Sequence, residues 1–133
     1  MIGILIIAHG SLGKSLMHCA THVMGGKPAQ LEYLAVSTND DPNKLLPKAQ
    51  KLVTQVNAGE GVLILSDIYG ATPCNIVTKL VNQEGVEGVA GVNLPMLVRV
   101  LNYRQEALEV CVEKAISGGR EGVVHFNDLG CKQ

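Results

Sequence analysis

A histidine closes one aliphatic run, Ile4-Leu5-Ile6-Ile7-Ala8-His9-Gly10, and an aspartate closes another, Val62-Leu63-Ile64-Leu65-Ser66-Asp67; Gly70-Ala71-Thr72-Pro73 follows shortly after. Such continuous apolar runs read as strands buried on both faces, and Thr-Pro ahead of a helical period reads as a helix start. In open α/β sheets, ligands gather beyond the carboxyl ends of the strands, so His9, Asp67 and the helix start at Thr72 could share one site. A neutral imidazole can attack through one ring nitrogen. A carboxylate accepting from the opposite N–H would fix the tautomer and stabilise the ring once it turns positive. The unsatisfied N–H groups after Thr72, with the helix dipole, would hold phosphoryl oxygens. Together these parts describe a phosphohistidine site. A lone histidine at a strand end can merely cap a backbone group, but the following glycine, the aspartate opposite and the adjacent helix start argue against that role here.

The elements that must position these residues alternate along the chain. Strands are predicted over residues 2–8, 31–36, 61–66 and 86–92, with a short last one over 122–126. The first helix is expected from Ser11 or Lys14 to Met24, stopped by Gly25-Gly26. Asp41-Pro42 reads as an N-cap and first helical residue, although Pro47 should kink that helix or delay its start. A third helix is expected over 73–83 with Thr72 as N-cap, and Pro95 opens one or two helices that reach Ser117, broken near Asn102. Right-handed crossovers then give a doubly wound, mostly parallel α/β sheet of order 2-1-3-4. Strands one and three become neighbours whose helices leave to opposite faces, which would bring His9 and Asp67 together at the switch point.

Composition narrows the function classes. With 133 residues, 47% hydrophobic and 17% charged, the chain should form one globular domain over 1–133. A net charge of -1, no Trp and one Phe provide neither a basic field nor stacking platforms for nucleic acid. The start Met1-Ile2-Gly3-Ile4 lacks a signal-peptide pattern, and no apolar run approaches the roughly 20 residues of a membrane helix. The expectation is a cytoplasmic protein whose cysteines, Cys19, Cys74, Cys111 and Cys131, are free thiols. Of these, Cys74 is next to the suspected site.

Two near-miss motifs offer other readings, of which the P-loop nucleotide binder stays open as the weaker alternative and the receiver fails. Ala8-His9-Gly10-Ser11-Leu12-Gly13-Lys14-Ser15 approaches a nucleotide-binding P-loop, but Ala8 replaces the leading glycine that lets backbone wrap a phosphate chain. An aspartyl-phosphate receiver would need acidic residues after its first strand, where this chain has His9-Gly10. His18 and His22, one helical turn apart, could contribute to a metal site but lack an evident third ligand. His125 reads as structural or surface.

The chain also resembles the mannose-type enzyme IIA family of the bacterial phosphoenolpyruvate-dependent sugar phosphotransferase system. The likeness runs from His9-Gly10 through Asp67-x-x-Gly70-x-x-Pro73 and Ala90-Gly91-Val92-Asn93-Leu94-Pro95-Met96-Leu97 to Gly119-Arg120-Glu121-Gly122-Val123. It implies a phosphocarrier in which His9 accepts a phosphoryl group from phospho-HPr and passes it to a separate IIB protein. Asp67 would bond the imidazole, and Gly10, Ala71 and Thr72 would bind the phosphate. No metal, nucleotide or other cofactor is implied. The resemblance further implies a homodimer, its last strand antiparallel and exchanged between partners, and peripheral association with a membrane IIC complex. Family members often read Gly-Gly-Ser-Pro where this chain has Gly70-Ala71-Thr72-Pro73; Thr72 is expected to keep the capping hydroxyl. Leu12, Tyr69, Pro95 and Met96 are the expected docking rim. A regulatory phosphoprotein, or a phosphoryl donor to a dihydroxyacetone kinase, would use the same scaffold.

Overall fold

The apolar runs form the middle of a four-stranded sheet. In the computed structural model, which describes residues 1–128, the strands β1 (Gly3–His9), β2 (Leu31–Val36), β3 (Val62–Ser66) and β4 (Val86–Ala90) are all parallel, in the order β2-β1-β3-β4. The helices are α1 (Leu12–Met24), α2 (Pro42–Val56), α3 (Thr72–Leu80), α4 (Leu94–Tyr103) and α5 (Leu108–Glu121). Alternation along the central strands divides the core into two layers. Ile4, Ile6, Leu63 and Leu65 pack with α1, α4 and α5. Leu5, Ile7, Val62 and Ile64 pack with α2 and α3. Since α1 and α3 leave to opposite faces, the switch point lies between β1 and β3, as the crossover argument requires.

Local chemistry explains most boundaries. Asp41 caps α2 by accepting from the Asn43 N–H, with Pro42 in the first turn, and the helix runs unbroken through Pro47. Gly25 ends α1 in the left-handed region. Gly3 is needed for close approach: a Cβ there would lie 2.3 Å from the Val56 carbonyl oxygen. At the far end of the sheet from His9, the buried Arg104 guanidinium donates to the carbonyls of Ile2, Ala29 and Gln30. A buried cation is tolerated because its donors are met this way.

Residues 122–126, expected as a short strand, are not one in the single chain: no regular element covers 123–125, and Phe126–Asp128 form a 3-10 turn. An extended segment needs a sheet edge to satisfy its backbone, and this segment pairs with neither β2 nor β4. Cys19, Cys74 and Cys111 are free thiols, whereas Cys131 lies outside the described residues.

Candidate functional site

The register of β1 on β3 sets Ile7 opposite Ser66, so the next residues of both chains emerge side by side at the carboxyl edge. Asp67 Oδ2 there accepts two hydrogen bonds from one residue, the His9 backbone N–H and His9 Nδ1, both at 2.9 Å. Its other oxygen accepts from the Ile68 N–H at 2.8 Å. The carboxylate therefore fixes both the backbone and the ring of His9. Because a carboxylate can only accept, the Nδ1 position carries the proton, and the Nε2 lone pair points away. Among the described residues Nε2 has no hydrogen-bond partner. The His9 side chain is 38% exposed while that of Asp67 is 8% exposed, so the orienting group is covered and the ring's free edge is open.

Burial alone would push the Asp67 carboxyl up. The hydrogen bonds from His9 and Ile68, together with the charge the imidazole can carry, outweigh it and hold the group below its ordinary value of 3.8. Asp67 is thus ionised wherever the ring needs a counter-charge.

Gly10 turns the chain away immediately after the histidine. Its φ of +55 lies in the left-handed region, and its N–H donates to the Val36 carbonyl, tying the turn to β2. With α1 beginning at Leu12, only Gly10-Ser11 connect strand and helix. That connection leaves no loop to wrap a nucleotide's phosphate chain, and Gly13 instead packs against Tyr33 and Ile6.

One expectation at the phosphate end needs correction. Ala71, not Thr72, is the N-cap of α3; Thr72 and Pro73 form its first turn, and no side-chain hydroxyl caps the helix. Ala71 adopts the extended conformation that an N-cap needs, and proline is equally tolerated one residue later because no N–H of the first turn has an intrahelical partner. Thr72 therefore keeps its hydroxyl unused by the helix, half-buried at the helix start.

The expected rim divides. Leu12 (40% exposed) and Tyr69 (83% exposed) project from the residues flanking His9 and Asp67, and Ile68, overlooked in the sequence reading, joins them at 62%. An isoleucine following a strand-ending aspartate, outside any apolar period, was the available signal. Met96 is not part of the rim: it is 4% exposed and belongs to the core under α4 and α5. It sits at the third position of an amphipathic helix start, where the N-cap Asn93 accepts from its N–H and turns the side chain inward. Pro95 is exposed but lies against Gly122, on the β4 side of the sheet. His18 and His22 occupy the exposed face of α1, and among the described residues no third His, Cys, Asp or Glu completes a metal-holding group. No described helix is long and apolar enough to cross a membrane.

The sequence and the fold both resemble those of known proteins. The chain is 30% identical over 125 residues to the PTS system mannose-specific EIIAB component of Escherichia coli K12, covering 92% of this chain but 38% of that protein. It is 27% identical over 106 residues to the PTS system fructose-specific EIIA component of Bacillus subtilis, covering 79% of this chain and 72% of that one. The fold superposes on the phosphotransferase system component EIIA of Streptococcus agalactiae with a TM-score of 0.85, at 26% identity and over 96% of this chain and 99% of that one. The family model EIIA-man, described as PTS system fructose IIA component, matches residues 3–116, and the chain belongs to that family.

Proposed function

We propose that this protein is a phosphohistidine carrier of the sugar phosphotransferase system, loaded on His9 Nε2 by phospho-HPr and unloaded by a IIB protein. The observation that carries the reading is the 2.9 Å contact between His9 Nδ1 and the covered Asp67 carboxylate, with the opposite ring edge open to a visitor. Transfer forms an Nε2–P bond as the donor's N–P bond breaks, and the electron pair of that bond returns to the donor imidazole. The Nδ1 proton stays in its hydrogen bond to Asp67, which meets the charge gained by the ring. The phosphoryl oxygens face the Gly10 turn and the start of α3, where Ala71 and Thr72 stand.

The loops after the four strands (residues 10–11, 37–41, 67–71 and 91–93) contain no lysine or arginine. Phosphoryl charge is therefore met by backbone N–H groups and by whatever cations the docking protein brings. Leu12, Ile68 and Tyr69 form an apolar rim suited to brief contact with two successive partners. Pro95 belongs to this docking set only if a partner spans the face as far as β4.

In the same reading the protein is a homodimer. Val123, Val124 and Phe126 are exposed apolar residues in a segment that joins no strand, and among the described residues β4 is an open edge. A groove of about 600 Å³ lined by Gly88, Ala90, Val112 and Ile116 runs along that edge. The exchanged segment of a second chain would fill the groove and satisfy the edge. The IIA role occupies the whole described chain, peripheral to a membrane complex.

Incubation with phosphoenolpyruvate, enzyme I and HPr should load one phosphate per chain, labile in acid and stable in alkali, with the phosphorus resonance of an Nε2-linked phosphohistidine. His9→Ala should take up none. Label retained by that variant, or linkage through Nδ1, would overturn the assignment.

A further inference from the structure

The other edge of the sheet has its own groove, of about 600 Å³, between α1 and β2. Its floor is apolar, made by Met17 and Tyr33, both partly buried against the core. Three basic side chains, Lys14, His18 and Lys27, line it, and no Asp or Glu does. Glu32, the carboxylate within β2, belongs to the opposite strand face, since Leu31 and Tyr33 pack on the α1 side and Leu34 on the α2 side. For a chain with a net charge of -1, this sign segregation is local.

The cations are spread along the groove rather than gathered at one point. From Lys14 to Met24 the helix rises about 15 Å, and Lys27 lies beyond its end. One phosphate could not bridge them. Alongside runs β2, six residues or about 20 Å long, paired among the described residues only with β1 and so presenting a free edge outward. A ligand that satisfies both features carries its own backbone donors and acceptors and repeated negative charge over a similar length.

We propose that the β2 edge and the adjoining α1 groove dock an acidic, extended segment of a partner polypeptide. The segment adds a strand outside β2 and sets the carboxylates of alternate residues against Lys14, His18 and Lys27, while the intervening apolar residues lie on the Leu34 side of the sheet. This surface uses none of the residues assigned to phosphoryl transfer, and its test is independent of that reading.

The probe is a fluorescein-labelled hexapeptide of alternating aspartate and valine, titrated against the full chain by anisotropy and amide hydrogen exchange. Saturable binding is expected, with slowed exchange confined to residues 31–36. Lys14→Gln combined with Lys27→Gln, both exposed positions, should bind about fivefold or more weakly at an unchanged melting temperature. A peptide N-methylated at alternate residues keeps its charge but cannot add as a strand, and it should also lose binding. The proposal is overturned by equal binding of the N-methylated peptide, by protection at residues 86–90 instead, or by an absence of saturation.

Discussion

At the scale of single residues, the site depends on how one carboxylate divides its lone pairs. Asp67 gives Oδ2 to both nitrogens of His9 that face it and Oδ1 to the Ile68 N–H. Asp67→Asn can keep part of this set but loses the negative charge opposite the phosphorylated ring. A hydrogen bond to a charged group contributes about 1.5–3 kcal/mol, so transfer from phospho-HPr should slow roughly 10- to 150-fold; rapid-quench kinetics would read it, and wild-type rates would remove Asp67 from the mechanism. The same group sets a pH dependence. Its folded pKa lies below 3.8, so in acid the unfolded chain binds the proton more readily than the native one. The stability it contributes is therefore present above about pH 4 and lost as pH falls through the folded value. Urea midpoints measured from pH 7 to pH 3 should drop less steeply in Asp67→Asn than in the wild type. Thr72 gives the converse result. Because its hydroxyl does not cap α3, Thr72→Ala should change stability by no more than about 0.5 kcal/mol, yet slow phosphoryl uptake roughly tenfold by removing a bond to the charged group. A large loss of stability with normal uptake would assign the hydroxyl to the helix instead.

At the scale of elements, the Gly91-Val92-Asn93-Leu94-Pro95-Met96 segment turns out to be a joint. Asn93 Oδ1 accepts from the Met96 N–H to cap α4, while its Nδ2 donates to the Gly119 carbonyl near the end of α5. One side chain thus ties the start of α4 to the last turn of α5, from which residues 122–128 leave. Asn93→Ala should cost about 1–2 kcal/mol in urea unfolding and weaken self-association more than phosphoryl uptake. Equal loss of both would mean that the joint serves the whole fold. The capping half of this role was open to sequence reading, because Asn before Leu-Pro is a helix-start signal. The bond to Gly119 spans 26 residues and depends on how α4 and α5 pack, which no local pattern encodes. Similarly, β1, β3 and the first helix were legible from apolar period, whereas the cap of α3 lies one residue before the expected Thr72, because Thr-Pro can fill either the cap and first position or the first two positions of a helix.

At the scale of the molecule, the segment after α5, which joins no strand, and the β4 edge, open among the described residues, are complementary. Sedimentation equilibrium should give twice the chain mass, and a chain ending at Glu121 should sediment as a monomer while keeping its helical and sheet content. A full-length monomer at micromolar concentration would remove the exchanged strand from the reading.

Aliphatic runs, their spacing and the terminating His9 and Asp67 were enough by themselves to point to a parallel α/β sheet of order 2-1-3-4 and to the meeting of His9 and Asp67 at its switch point, since burial on both faces and right-handed crossovers leave few other arrangements. Tertiary structure alone decided which ring nitrogen is held and which is open, that Met96 turns into the core while Ile68 turns out, and that within the described residues of one chain both sheet edges remain open. Those outcomes depend on distances between groups far apart in the chain, and they are set by packing, not by the local periodicity that a sequence displays.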